Sequence, residues 1–192
     1  MLQILSQSIK IYNVKLYSYV LMKNHFHLLV ETTLDNLGEF MRHFNITYTG
    51  YFNRRHGRVG HLYQGRYKSI LVDKAAYLTI LSRYIHLNPV RTKAMAKAPL
   101  QDKVAYLAGY PWSSLPGYLT GGKKEPFIDY AMVLQEYGGD TDRARAAYTE
   151  AIRADAATGL EIKDKILGQS LIGRDEFIEW VKDRFIEQKL IP

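Results

Sequence analysis

The first ninety residues switch between helical and strand-like spacing of apolar positions. Leu2 to Tyr12 space their apolar residues as a short amphipathic helix does. Val14 to Met22 form a run rich in Val, Tyr and Leu, which predicts a strand. Lys23-Asn24 suit a turn and His25 to Glu31 a second strand, so the two make a hairpin. Leu37, Phe40, Met41, Phe44, Tyr48, Tyr51 and Phe52 line one face of a helix from Leu37 to about Arg55. A loop with two glycines, His56 to Gly60, follows. Tyr63 to Val72 predict a third strand with an irregularity at Gly65. Asp73 stands as N-cap of a helix that reaches about Asn88 and that Pro89 ends.

The texture then changes. Gly109 to Phe127 hold Pro111, Pro116, Pro126, four glycines and Trp112, and read as the end of a first domain plus a linker. Helical patterns resume over Ile128 to Tyr137, Asp142 to Ala156, Glu161 to Leu167 and Arg174 to Lys189, punctuated by Gly138-Gly139 and Gly173. The chain therefore divides into an α+β domain, residues 1–118, and a helical C-terminal region, residues 119–192. No internal repeat or low-complexity tract is visible.

At 192 residues, 47% of them hydrophobic and 23% charged, the composition excludes disorder for most of the chain. No apolar run approaches the ~20 residues of a bilayer span. The absence of cysteine excludes disulfides, thiolate metal sites and a cysteine nucleophile. The N-terminus lacks the marks of a signal peptide, so the expected location is the cytoplasm, away from membranes. Charge changes the picture more. The net charge is +7, but Met41 to Met95 carry ten Lys or Arg against one acid, Asp73, a local +9 that leaves −2 for the rest. Tyr48, Tyr51, Phe52, Tyr63, Tyr67 and Tyr77 lie among these charges, a mixture suited to phosphates and unstacked bases. A solvated basic face is the plainer reading.

Two constellations carry chemistry. His25-Phe26-His27 on a strand sends both imidazoles to one face, ~7 Å apart at their α-carbons, with Phe26, Leu28 and Val30 facing a core. Such a pair holds a divalent metal if a third ligand arrives from elsewhere; otherwise it is a pair of partly buried, hydrogen-bonded histidines. On the following helix Tyr84 and Asn88 are four apart and stacked on one side. A phenol and an amide oxygen presented together suit nucleophile and metal ligand. Tyr77, two turns earlier, is a rival nucleophile, and with 15 tyrosines in the chain a core role for either is the plainer alternative. His86 lies about 200° around the helix from Tyr84 and reads as structural.

The stretch Tyr19 to Glu31 resembles the histidine–hydrophobic–histidine (HUH) signature of single-tyrosine transposases. Tyr51 to Lys68 and Ser82 to Arg91 are similar to the REP-associated tyrosine transposases of that class. The resemblance runs from about Val14 to Ser114 and continues weakly through Gly168-Gln169 and Arg174 to Val181. It implies a ferredoxin-like antiparallel sheet with packed helices that cleaves and rejoins single-stranded DNA, hairpin-forming repeats being the targets and a homodimer common. His25 and His27 would be metal ligands, Tyr84 the nucleophile in preference to Tyr77, and Asn88 a third ligand. Mg²⁺ and Mn²⁺ both suit imidazole, amide and water ligands. Attack would give a 5′-phosphotyrosine and a free 3′-hydroxyl. Rejoining then needs no nucleotide cofactor, and the chain has no phosphate loop.

Arg54, Arg55 and Arg58 close a helix and enter a glycine loop, while Arg66 and Lys68 alternate on one face of the third strand. With Arg91 after the nucleophile helix, these are the expected phosphate contacts. The family usually opens with another strand and a full helix, so the sheet is expected to lack its first strand and to expose unpaired backbone. A late start codon, a decayed copy or a covering partner chain would each account for it. The C-terminal helices could clamp a DNA hairpin, mediate dimerisation or pack on the core. Competing functions are a catalytically inactive, decayed or domesticated DNA-binding relative, a replication or plasmid-nicking protein, and a metal-dependent hydrolase that forms no adduct.

Overall fold

A hairpin between two helical layers organises the molecule. The computed structural model describes residues 1–186. Helix α1 (Leu2–Tyr12) buries Leu5 and Ile9 and stops at Asn13, whose left-handed conformation (φ 50°) lets its amide return to Ile9 O. Strand β1 (Val14–Leu21) buries every residue but Lys15 and pairs antiparallel with β2 (Phe26–Thr32), with an irregularity at Tyr17. Helix α2 (Leu37–His56) ends on Gly57, where φ is +59°. A strand of two residues, β3 (Leu71–Val72), precedes α3 (Lys74–Leu87), and Asn88–Val90 continue as one 3₁₀ turn. Then come α4 (Leu100–Gly109), α5 (Leu115–Leu119), α6 (Tyr130–Leu134), α7 (Asp142–Thr158), β4 (Leu171–Ile172) and α8 (Asp175–Val181). A π turn covers Lys182–Ile186. The fold is α+β, as expected of this class of sheet-and-helix protein.

The faces of β2 sort the layers. Phe26 meets Phe44 of α2, with ring centres 5.6 Å apart. Glu31, on the opposite face, pairs with Lys74 of α3. The apolar core is continuous across residue 118: Leu16, Tyr19, Phe40 and Leu81 belong to the same buried cluster as Val133, Leu134, Tyr148 and Ile152. The C-terminal helices thus pack on the core.

Several expected elements differ. The third strand forms only at Leu71-Val72, and its partner is β4, in parallel, rather than the hairpin. Residues 57–70 are instead an exposed irregular loop with left-handed Gly60 (φ +91°) and Gly65 (φ +83°), conformations that no continuous strand accommodates. Arg66 and Lys68 therefore do not alternate on a sheet face. Glu161 to Leu167 form only a 3₁₀ turn at Lys163–Lys165, since seven residues are too few to sustain a helix against the competing contacts of Leu160 and Glu161. Of the helix expected over Arg174 to Lys189, residues 187–189 lie outside the described residues. Asp73 occupies the N-cap position but its carboxylate takes Arg174, not the helix amides. Helix α4 was not anticipated.

The edge of β1 away from β2 is covered by the proline-rich segment. Leu21 N–H donates to Trp112 O (2.7 Å), Ser114 N–H to Tyr19 O (3.1 Å) and Asp129 N–H to Leu16 O (2.9 Å). Tyr19 N–H donates to Ser114 Oγ and Tyr118 Oη–H to Tyr17 O. What reads as a linker is thus an edge cover. Among the described residues β2 pairs with β1 alone, and no helix is long and apolar enough to cross a membrane.

Candidate active site

A tight turn delivers the two histidines. Met22 N–H donates to His25 O at 2.8 Å, and Val20 and Leu21 pair with His27 and Phe26. The imidazole ring centres lie 5.1 Å apart, edge to face. Phe26 between them points the other way, onto Phe44 and Tyr63. His25 Nδ1 lies 2.8 Å from Asn24 Oδ1. An amide oxygen can only accept, so Nδ1 carries the hydrogen and Nε2 keeps a free lone pair. Burial, then the His25 and Arg91 charges, hold the His27 pKa below its ordinary value. His27 is therefore a neutral donor at pH 7.

Helix α3 packs on the histidine side of the hairpin. Tyr84 and Asn88 stand one turn apart, and the 3₁₀ turn at Asn88–Val90 carries the helical path on to Arg91, two turns beyond Tyr84. The Arg91 guanidinium lies 4.3 Å from the centre of the Tyr84 ring. The same charge acts on His27. Arg91 thus covers the tyrosine of α3 and is the smallest of the three causes acting on His27. It donates to Leu160 O at 2.9 Å and forms an ion pair with Glu161. Asn88 Nδ2 donates to Tyr84 O (3.0 Å) and Ile85 O (3.2 Å), which ties its amide nitrogen to the helix end. Its Oδ1 accepts nothing from the described residues.

The other singled-out residues lie apart. Tyr77 shares the face of Tyr84, but its cation is Lys165, 6.0 Å from the ring centre. His86 is fully buried on the far side of α3, bonded to Tyr148 Oη (2.8 Å) and Ser114 Oγ (2.7 Å), and burial lowers its pKa to about 3. Arg54 and Arg55 end α2, in the layer across the hairpin from α3. Arg58 lies over Phe52, 5.7 Å from the ring centre, and Arg66 and Lys68 are on the exposed loop. The basic residues thus form one surface and the Tyr84 cluster another.

Sequence reasoning missed Glu161 and Leu160, seventy residues beyond the arginine they hold. No spacing rule relates such distant positions.

Two imidazoles with available lone pairs and a free amide oxygen suit a divalent cation that completes its shell with substrate oxygens and water. Among the described residues no group of three His, Cys, Asp or Glu assembles for a metal.

Fold and sequence together describe an α+β protein with a histidine pair on its hairpin, an arginine-covered tyrosine on the helix packed against it, and a separate basic surface. A family profile described as "Transposase IS200 like" matches residues 1–88, from α1 to the asparagine after the tyrosine helix, so this part of the chain is similar to that family. That similarity points to DNA processing of the transposase type. Neither a curated protein nor a solved structure matches the chain significantly.

Proposed function

We propose that this protein cleaves and rejoins single-stranded DNA, repeat-derived and hairpin-forming, through a covalent link to Tyr84. The observation that carries this reading is Arg91, whose guanidinium covers Tyr84 and whose charge reaches His27. A phosphate entering between helix and hairpin meets a nucleophile, a cation and a ligand pair together.

In the proposed step Tyr84 Oη bonds to phosphorus as the bond to the 3′ oxygen breaks. The phenol proton passes through solvent to that oxygen, leaving a 5′-phosphotyrosine and a free 3′-hydroxyl. One phosphate ester replaces another, so the reverse attack rejoins strands without a nucleotide. Arg91 offsets the charge developing on the phosphate, exchanging Glu161 for it. His25, His27 and Asn88 would hold Mg²⁺ or Mn²⁺, which when bound polarises the phosphate oxygens. Asn24 orients the His25 ring and burial keeps His27 uncharged, so both can serve as ligands. Arg54, Arg55, Arg58, Arg66 and Lys68 track the flanking phosphates, and the working assembly is a homodimer.

The test is a denaturing gel of protein with labelled hairpin DNA from its own flanking sequence and Mn²⁺ or Mg²⁺. A protease-sensitive shifted band in wild type, absent in Tyr84→Phe and His25→Ala, supports the reading. Salt-sensitive binding without a band would instead establish an inactive DNA-binding relative.

A further inference from the structure

A cleft of about 250 Å³ opens behind the histidine pair, walled by Asn45, Ile46 and Thr49 of α2 and by His61 and Tyr63 of the following loop. Two of its wall residues have a buried polar atom that finds no hydrogen-bond partner within the protein: Asn45 Oδ1 and Tyr63 Oη. Buried polar atoms are nearly always paired, so two orphans just beneath the wall of one cleft call for a partner from outside. We propose that this cleft is a subsite for one unpaired nucleobase of the DNA strand, an inference that rests on the DNA reading above.

The chemistry favours a base over other parts of the strand. An amide oxygen accepts and a phenol both donates and accepts, the complement of a base edge, which sets donors and acceptors side by side. Apart from His61, the wall residues bring no charge, so they suit the neutral part of a nucleotide. Burial holds the Tyr63 phenol in its protonated, donating form. The volume falls below that of ordinary ligand pockets and admits a single ring system rather than a run of nucleotides. Phosphates have other partners: Arg42 lies one helical turn before Asn45, Arg58 and Arg66 flank the loop, and no acid occurs between Met41 and Val72.

Position ties the cleft to the candidate active site. The Tyr63 ring centre lies 6.1 Å from that of Phe26, the residue between His25 and His27. The cleft lies on the α2 side of the hairpin, so a strand held on the histidine face reaches it around the turn before His25. Entry requires the loop to shift, since both orphan atoms lie below the surface. Gly60 and Gly65, at φ +91° and +83°, flank residues 61–64 in a backbone conformation that glycine adopts freely.

The experiment is fluorescence anisotropy of the full chain with labelled 12-mers of dA, dC, dG and dT and an abasic 12-mer at fixed salt. Wild type is expected to prefer at least one base over the abasic strand by about 5-fold or more, the weight of one or two hydrogen bonds. Asn45→Leu and Tyr63→Phe are each expected to cut that preference below about 2-fold while leaving abasic binding intact. Tyr63→Phe keeps the ring against Phe26, and melting curves on both variants identify any that unfolds. Equal binding of all five strands, the result for a cleft that holds only water, overturns the subsite alone. So does a preference that a folded Tyr63→Phe retains in full. Failure to bind any 12-mer overturns the subsite, while the gel with hairpin DNA decides the DNA reading separately.

Discussion

The guanidinium of Arg91 lies over the ring of Tyr84, 4.3 Å from its centre, and is held there by Leu160 O and the Glu161 carboxylate. The arginine is thus fixed at both ends of its role, by the helix it follows and by a segment seventy residues away. Arg91→Gln is expected to lower single-turnover cleavage by about 10²–10³-fold, the usual cost of losing one fixed charge at a reacting phosphate. Glu161→Gln releases the guanidinium, and affinity for single-stranded DNA at low salt should rise about 2- to 5-fold. Gel kinetics read the first and anisotropy the second; unchanged cleavage in Arg91→Gln would remove Arg91 from the reaction.

Tyr77 and Tyr84 share a face of α3, but Arg91 covers only Tyr84. Tyr84→Phe should abolish the covalent adduct with DNA affinity within about 2-fold of wild type, because a single hydroxyl is removed from a half-buried ring. Tyr77→Phe should retain the adduct. Chelation with EDTA should abolish the adduct and leave binding, which the same gel run beside anisotropy checks.

His86 sets an acid limit on stability. Its pKa falls from the ordinary 6.5 to about 3 in the folded chain because it is buried. The unfolded chain takes up a proton below about 6.5 and the folded chain does not until about 3. Stability is therefore full above pH 6.5 and falls as pH drops through that window, by up to roughly 5 kcal/mol. His27, also depressed, adds a loss of the same sign. Glu31, Asp73 and Asp140 have lowered pKa values as well, so their contribution is lost only below their ordinary 4.5 and 3.8. Urea midpoints between pH 6.5 and 5 isolate the histidine part. His86→Gln should flatten that slope, and an unchanged slope would contradict the assignment.

The basic loop and the end of α2 should behave as a phosphate-binding surface. Replacing Arg54 and Arg55 with Gln is expected to reduce the slope of log affinity against log salt by about 0.7 per lost contact on a single strand. Base preference should not change. Affinities across a salt series measure both.

Gly117 has its Cα against the Tyr130 ring, and its carbonyl accepts from Arg145. A methyl group there would overlap the phenol, so Gly117→Ala should destabilise the chain by about 1–3 kcal/mol, read from urea unfolding.

Spacing along the chain determined the local elements. The hairpin follows from a run rich in Val, Tyr and Leu and the turn after it, and α1, α2, α3 and α7 from helical spacing, because each needs only its own residues to declare itself. The candidate chemistry was legible for the same reason: His25 and His27 share a strand face, and Tyr84 and Asn88 a helix face, through short-range geometry. Tertiary structure alone decided the rest. Leu71-Val72 pair with Leu171-Ile172 and not with the hairpin, Trp112 and Ser114 cover β1, and Glu161 holds Arg91. Each of these joins positions some seventy to a hundred residues apart. Such contacts depend on which backbone groups and charges the folded chain leaves unpaired, a property of the assembled surface that no periodicity records.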